Sequence, residues 1–267
     1  MYNPFVMDKR PVGIFDSGLG GLTAVRRLSE LMPNENIIYF GDTARCPYGT
    51  RQKQELREMV LDNLALLKSY DVRAIIAACG TMSANAEDII KDCGLPSVNV
   101  IDPAVKVAQV AGCAPVLVIA TEASIRTGVF GQKLRETMPG AEVFEAATQD
   151  FVRLCESGHT DIGDPELAFS VEGYLRPYKD KGIKSVILGC THFAIIGDAI
   201  KAYFGEDIFY IPTGETAAEE LCRQIGSDAP HEGGGNITYL TSGDTESFDK
   251  LASQLMGKRV KSEKVSI

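Results

Sequence analysis

Short apolar runs alternate with longer segments of helical period along most of the chain. Val12–Phe15, Ile37–Phe40, Ala74–Ala78, Val98–Ile101, Val116–Ala120, Val186–Leu188 and Ile208–Ile211 read as strands. Each is apolar along most of its length and is closed by Gly, Asp, Thr, Cys or Pro, as strands covered on both faces are. Between them Leu22–Leu31, Glu55–Tyr70, Ala84–Asp92, Ala104–Ala111, Ile125–Met138, Pro165–Tyr178 and Ala194–Tyr203 read as helices. In Glu55–Tyr70 the apolar positions Leu56, Met59, Val60, Leu64 and Leu67 recur at steps of three and four, which is one face of a helix. Strands alternating with helices predict an α/β protein with mainly parallel sheets.

Part of this pattern occurs twice. Ala74-Ile-Ile-Ala-Ala-Cys79-Gly-Thr81 matches Ser185-Val-Ile-Leu-Gly-Cys190-Thr-His192: an apolar strand ends in Cys, and a hydroxyl or imidazole residue then opens a helix. Val12–Ser17 and Val116–Thr121 form a second, weaker pair, each a strand running into a small polar turn. These matches suggest two related halves. Ligands of open α/β sheets bind outside the carboxyl ends of strands, where all four segments carry their polar residues, so a site is expected in the crevice between the halves.

Composition narrows the class. A chain of 267 residues, 45% hydrophobic and 24% charged, is long enough to bury a core without disulfides. The net charge of −9 argues against broad contact with nucleic acid or anionic membrane, although local backbone donors can still hold a small anion. No apolar stretch approaches the roughly 20 residues of a membrane span, and Met1–Arg10 lacks the apolar run of a signal peptide. Seven dispersed cysteines without Cys-x-x-Cys, and only three histidines, fit neither a disulfide framework nor a zinc site. A cytoplasmic protein with reduced thiols is expected.

Three segments carry candidate chemistry. Asp16-Ser-Gly-Leu-Gly-Gly21 lies between a strand and a helix, but it is not a dinucleotide fingerprint, because Thr23 stands where the third glycine would fall. It reads equally as a tight turn with positive-φ glycines and a capping Asp or Ser, or as a set of backbone donors for a carboxylate or phosphate. Gly41-Asp-Thr-Ala-Arg-Cys-Pro-Tyr-Gly49 is longer than a turn requires. Either it is a structural loop or Tyr48 and Gly49 offer an aromatic wall and backbone donors. Cys79 and Cys190 each sit at a strand–helix junction, where a helix dipole lowers a thiol's pKa, and each is followed by anion-binding residues. Cys93, Cys113, Cys155 and Cys222 lack this context and read as small core residues, while Cys46 reads as inert.

Two opposed thiols suit two chemistries. Thiol–disulfide exchange usually relies on Cys-x-x-Cys, which is absent. Stereochemical inversion needs an acid and a base of similar type on opposite faces of a stereocentre.

The ordered set Asp-Ser-Gly-x-Gly-Gly, Gly-Asp-Thr-Ala-x-x-Pro-Tyr-Gly, Ala-Cys-x-Thr and Gly-Cys-Thr-His resembles the aspartate/glutamate racemase family. The resemblance implies two pseudo-symmetric Rossmann-like α/β domains with the active site in the cleft between them. One domain would comprise residues 1–100 plus 214–267, the other residues 101–213. It implies cofactor-independent interconversion of L- and D-glutamate, supplying D-glutamate for peptidoglycan, by a homodimer. Cys79 would handle the D-enantiomer and Cys190 the L-enantiomer. Asp16 would assist Cys79, and His192 with Glu156 would assist Cys190. Asp16, Ser17, Tyr48, Gly49, Gly80, Thr81, Thr121, Thr191 and His192 would hold the substrate.

The chain departs from the family pattern at several points. Gly80 stands where Asn is usual and removes a side-chain amide, Phe193-Ala194 replaces Tyr-Pro, and Arg153 replaces a proline. Gly80 keeps two rivals open: a racemase of aspartate, hydantoin or another small acid, and a protein that retains the fold but regulates a partner. The segment Asp228–Asn236 reads as a loop, and the tail from Met256 reads as solvated and frayed.

Overall fold

A computed structural model describes residues 8–226 and 234–267. Residues 1–7 of the leader reading and 228–233 of the predicted loop lie outside the described residues. The strands, in chain order, are β1 Val12–Asp16, β2 Ile37–Gly41, β3 Ala74–Ala77, β4 Ser97–Asn99, β5 Val116–Ala120, β6 Val143–Ala147, β7 Ser185–Leu188, β8 Phe209–Pro212, β9 Ile237–Thr241 and β10 Ser262–Lys264. They form a six-stranded sheet ordered β10-β9-β2-β1-β3-β4 and a four-stranded sheet ordered β6-β5-β7-β8. Every pairing is parallel.

The two sheets share one topology. Setting β9 and β10 aside, the order β2-β1-β3-β4 repeats as β6-β5-β7-β8, so β1 corresponds to β5 and β3 to β7. The two sequence pairs noted above are therefore the two central strands of each half. In both halves the chain leaves the first strand on one side and returns on the other, which opens a crevice at the carboxyl ends of β1 with β3 and of β5 with β7. β1, β2, β3, β5 and β7 are buried along their whole length, which explains their nearly unbroken apolar runs.

Some expected elements differ. The helix expected over Ile125–Met138 begins earlier and breaks at Gly128, whose φ of 66° ends helix Glu122–Thr127 and starts Val129–Thr137. The stretch Ala84–Asp92 divides between Gly80–Asn85 and Glu87–Lys91. In place of one helix from Ala194, a 3-10 turn Thr191–Ala194 precedes the helix Gly197–Phe204. The tail is not frayed as expected: β10 pairs with β9, Ser262 N–H donates to Asp249 Oδ1 at 2.8 Å, and Val260 is 3% exposed in the core. Tertiary pairing holds there a segment whose charged composition reads as solvent-facing.

Candidate active site

The turn after β1 carries the first group. Asp16 is buried, and its Oδ2 accepts the N–H groups of Gly18 at 3.2 Å and Gly21 at 2.9 Å. Its Oδ1 has no protein partner. None of Gly18, Gly20 and Gly21 has a positive φ, which goes against that part of the tight-turn reading, one of the two the sequence left open. They serve close approach instead. A Cβ at Gly18 would lie 2.1 Å from Glu156 Oε1, and one at Gly20 would lie 2.6 Å from both the backbone N and Nδ1 of His192. The glycines let the first half's turn reach the second half's catalytic candidates.

Cys79 follows β3 with an extended backbone, ahead of the helix Gly80–Asn85, and its Sγ donates to Ser17 Oγ at 3.6 Å. Burial, followed by the charge of Asp16 and the Cys190 thiol, pushes the Cys79 thiol up to about 12. This reverses the lowering expected from the helix dipole. A buried thiol loses the hydration that would stabilise its thiolate, and six residues of helix do not compensate.

Cys190 follows β7 in the same extended conformation. Its Sγ lies 3.6 Å from His192 Nδ1, and His192 Nε2 lies 2.5 Å from Glu156 Oε1. The same carboxylate oxygen accepts the N–H of Leu19, from the opposite half, at 3.0 Å. Burial alone would lower the pKa of His192, but hydrogen bonds to Cys190 and Glu156 raise it well above its ordinary value. Burial also opposes ionisation of Glu156, yet the His192 hydrogen bond and charge hold its carboxyl below the usual range. Asp16 moves the other way: burial raises it, outweighing the charge of His192 and the two backbone N–H groups.

The remaining candidates gather around these two centres. Thr81 Oγ1 and Thr121 Oγ1, from different halves, lie 2.8 Å apart, and Thr121 also caps the helix Glu122–Thr127 by accepting from Ser124 N. Thr191 is buried with an Oγ1 that has no protein partner. Gly49 O accepts the N–H of Ala123, joining the long loop to the second half. Tyr48 is buried, and its hydroxyl is engaged by Asp42 Oδ2, which also takes Arg45 Nε at 2.5 Å. Phe193, in place of the usual Tyr, is fully buried and meets Phe151 edge-on at 5.3 Å, in a packing role that requires no hydroxyl.

A cavity of about 540 Å³ opens beside this cluster between Thr43, Cys46 and Pro47 on one side and Gln149, Arg153 and Glu156 on the other. Arg153 is exposed at its edge and pairs with Glu166 at 2.8 Å. Cys93 and Cys155 are core residues as expected, whereas Cys113 and Cys222 are only half-buried. Asp42 and Gln149 are the residues that sequence reasoning missed. Asp42 lies inside a noted motif but carries no distinguishing neighbour in sequence. Gln149 follows β6, a strand whose polar Glu145 masks its period.

No helix among the described residues is long and apolar enough to cross a membrane. The family described as Asp/Glu/Hydantoin racemase matches residues 22–221. A glutamate racemase of Desulforudis audaxviator is 34% identical over 263 residues, covering 94% of this chain and 96% of that protein. One of Bacillus cereus is 33% identical over 261 residues, covering 96% of each. Among solved structures, the glutamate racemase of Francisella tularensis in complex with D-glutamate superposes with a TM-score of 0.89 at 31% identity, covering 97% of this chain and 98% of that one. The chain belongs to the Asp/Glu/hydantoin racemase family.

Proposed function

We propose that the protein interconverts L- and D-glutamate by moving a proton between the two faces of Cα, with Cys79 and Cys190 as the acid–base pair and without a cofactor. The observation that carries this reading is the equivalence of the two cysteines: each ends the third strand of a topologically matched half, and each has its own polar partners. A pair of like groups facing each other across a crevice suits a reaction whose two directions exchange acid and base.

In the L-to-D direction a Cys190 thiolate takes the Cα proton while the Cys79 thiol gives its proton to the opposite face. The sulfurs then hold exchanged protonation states, and the D-to-L direction reverses both transfers. His192, oriented by Glu156, can pass a proton to or from Cys190 Sγ. Asp16, whose carboxyl titrates above its ordinary range, can do the same on the Cys79 side. The carbanion-like transition state needs oriented donors in a site shielded from water. Ser17, Thr81, Thr121, Thr191 and the backbone N–H groups of Gly49 and Gly80 are assigned that role with the substrate's carboxylates and ammonium. The unpartnered Asp16 Oδ1 and Thr191 Oγ1 support it, because buried polar atoms in folded proteins are nearly always satisfied.

Residues 1–100 with 214–267 and residues 101–213 are taken as the two bodies that close on the substrate. D-glutamate would supply peptidoglycan synthesis in the cytoplasm, from a homodimer; the family resemblance supports both.

The test is Cα-proton loss followed by NMR in D₂O, with L-glutamate, D-glutamate and both aspartates supplied separately to reduced, folded protein and no cofactor. Exchange with inversion of either glutamate is expected. Exchange with aspartate alone keeps the mechanism and changes the substrate, the outcome that Gly80 keeps open. No exchange with any of the four overturns the reading and favours a regulatory binding role.

A further inference from the structure

We infer that Gln149 sets the length of acid that the site accepts: its side-chain amide meets the carboxylate at the far end of glutamate, a group that aspartate, one methylene shorter, does not place there. This inference rests on the proposed reaction and names the residue that would give it a substrate preference. The amide lies across the Cα of Gly49, which belongs to the opposite half. A Cβ on Gly49 would lie 2.8 Å from both Cδ and Nε2 of Gln149 and nearer still to Oε1. Gly49 thus leaves room for the amide beside its own N–H, a donor assigned above to a substrate carboxylate. The Oε1 of Gln149 is buried and has no protein partner. Buried polar atoms are nearly always bonded, and here no bond to the oxygen fixes which way the amide faces. A half-turn about its last torsion exchanges Oε1 with Nε2 and presents N–H donors to an anion.

The topology sets this contact to one side of the thiols. Gly49 lies in the loop after β2 and Gln149 just after β6, and each of these strands is the second over from the strand that ends in a cysteine. Strands lie about 4.8 Å apart, so the ends of β2 and β6 stand roughly 10 Å from those of β3 and β7. With Cα between the sulfurs, its own carboxylate stays beside the cysteine turns, and the side-chain carboxylate is the part that extends towards the amide. Three other polar residues of the same cavity are already engaged. Glu156 holds His192 and Leu19, Arg153 pairs with Glu166, and Thr43 Oγ1 lies 2.6 Å from Thr241 Oγ1. A site built to hydrogen-bond one group of its substrate discriminates against an analogue that cannot supply that group.

Gln149→Met and Gln149→Glu test this, with thermal melts to establish folding. For each, kcat and KM for Cα exchange are measured with glutamate and with aspartate, and D-glutamate and D-aspartate are titrated by calorimetry. Interconversion of enantiomers carries no heat, so the titration reads binding whether or not the protein turns over. Gln149→Met keeps the length of the side chain and removes the amide. It should melt like the wild type, since Oε1 has no bond to lose, and raise KM and Kd for glutamate about tenfold or more, as loss of one hydrogen bond to a charged group does. Its constants for aspartate should not change. Gln149→Glu sets a like charge against the far carboxylate and should weaken glutamate further. A folded Gln149→Met with wild-type KM and Kd for glutamate, or with equal losses for glutamate and aspartate, overturns the inference. A wild type that binds glutamate through Gln149 but exchanges no Cα proton overturns the proposed reaction and leaves the contact standing. One that neither binds nor exchanges glutamate overturns both.

Discussion

His192 Nε2 and Glu156 Oε1 lie 2.5 Å apart, and the carboxylate oxygen that holds the imidazole is held in turn by the Leu19 N–H of the opposite half. The orientation of the imidazole beside Cys190 thus depends on contact between the two halves. Glu156→Gln keeps the shape of the side chain and removes its charge. Hydrogen bonds to charged groups contribute about 1.5–3 kcal/mol, so kcat/KM should fall roughly tenfold to a hundredfold. The pH–rate profile should shift with it, because His192 keeps Cys190 but loses Glu156, the second of the two partners that raise its pKa. An unchanged rate and profile would remove Glu156 from the machinery.

The same pair makes stability depend on pH. His192 is raised above its ordinary value of 6.5, so its contribution is complete below that value and is lost as pH climbs through the raised folded value. Glu156 is lowered below 4.5, so its contribution is complete above that value and is lost as pH falls through the lowered folded value. The advantage of the wild type over Glu156→Gln in melting temperature should therefore be greatest between about 4.5 and 6.5 and shrink on both sides. Parallel melting curves from pH 4 to 9 would contradict it.

Cys79→Ser and Cys190→Ser should each lower racemisation by about 10²–10⁴-fold, the usual contribution of a positioned acid or base. Serine is close in shape, slightly smaller, and does not titrate in the working range. Full racemisation in both variants would eliminate the two-thiol mechanism.

Tyr48 separates two roles that the sequence leaves together. Its hydroxyl is engaged by Asp42, whose other oxygen accepts Ser242 Oγ at 2.7 Å. Tyr48→Phe should cost about 1–3 kcal/mol in urea unfolding, since it leaves a buried charged acceptor short of one bond, with KM for glutamate little changed. A large rise in KM without loss of stability would place the hydroxyl on the substrate instead.

Local pattern was enough to reveal most of the architecture. The apolar runs of β1, β2, β3, β5 and β7 stand out because burial on both faces requires unbroken hydrophobicity, and the repeated strand-Cys segments identified the matched halves before any pairing was known. Pairing partners were needed for β6, β9 and β10. β6 is only partly buried and interrupted by Glu145, and β10 is a three-residue strand with two exposed charged residues. β6 and β10 are edge strands, held by the ladder beside them, and their own composition carries little signal.

The chemistry divides in the same way. Asp16, Cys79, Cys190 and His192 stand out in sequence because polar side chains and thiols at strand ends form compact motifs. Their electrostatics do not. The helix that follows Cys79 suggests a lowered thiol pKa, but burial raises it, since desolvation depends on everything packed around the sulfur. The sequence by itself determined an α/β protein of two related halves with a thiol at the heart of each. Only the tertiary structure decided how burial acts on the Cys79 thiol and which groups hold each sulfur, because each of these is a property of contacts between residues far apart in the chain.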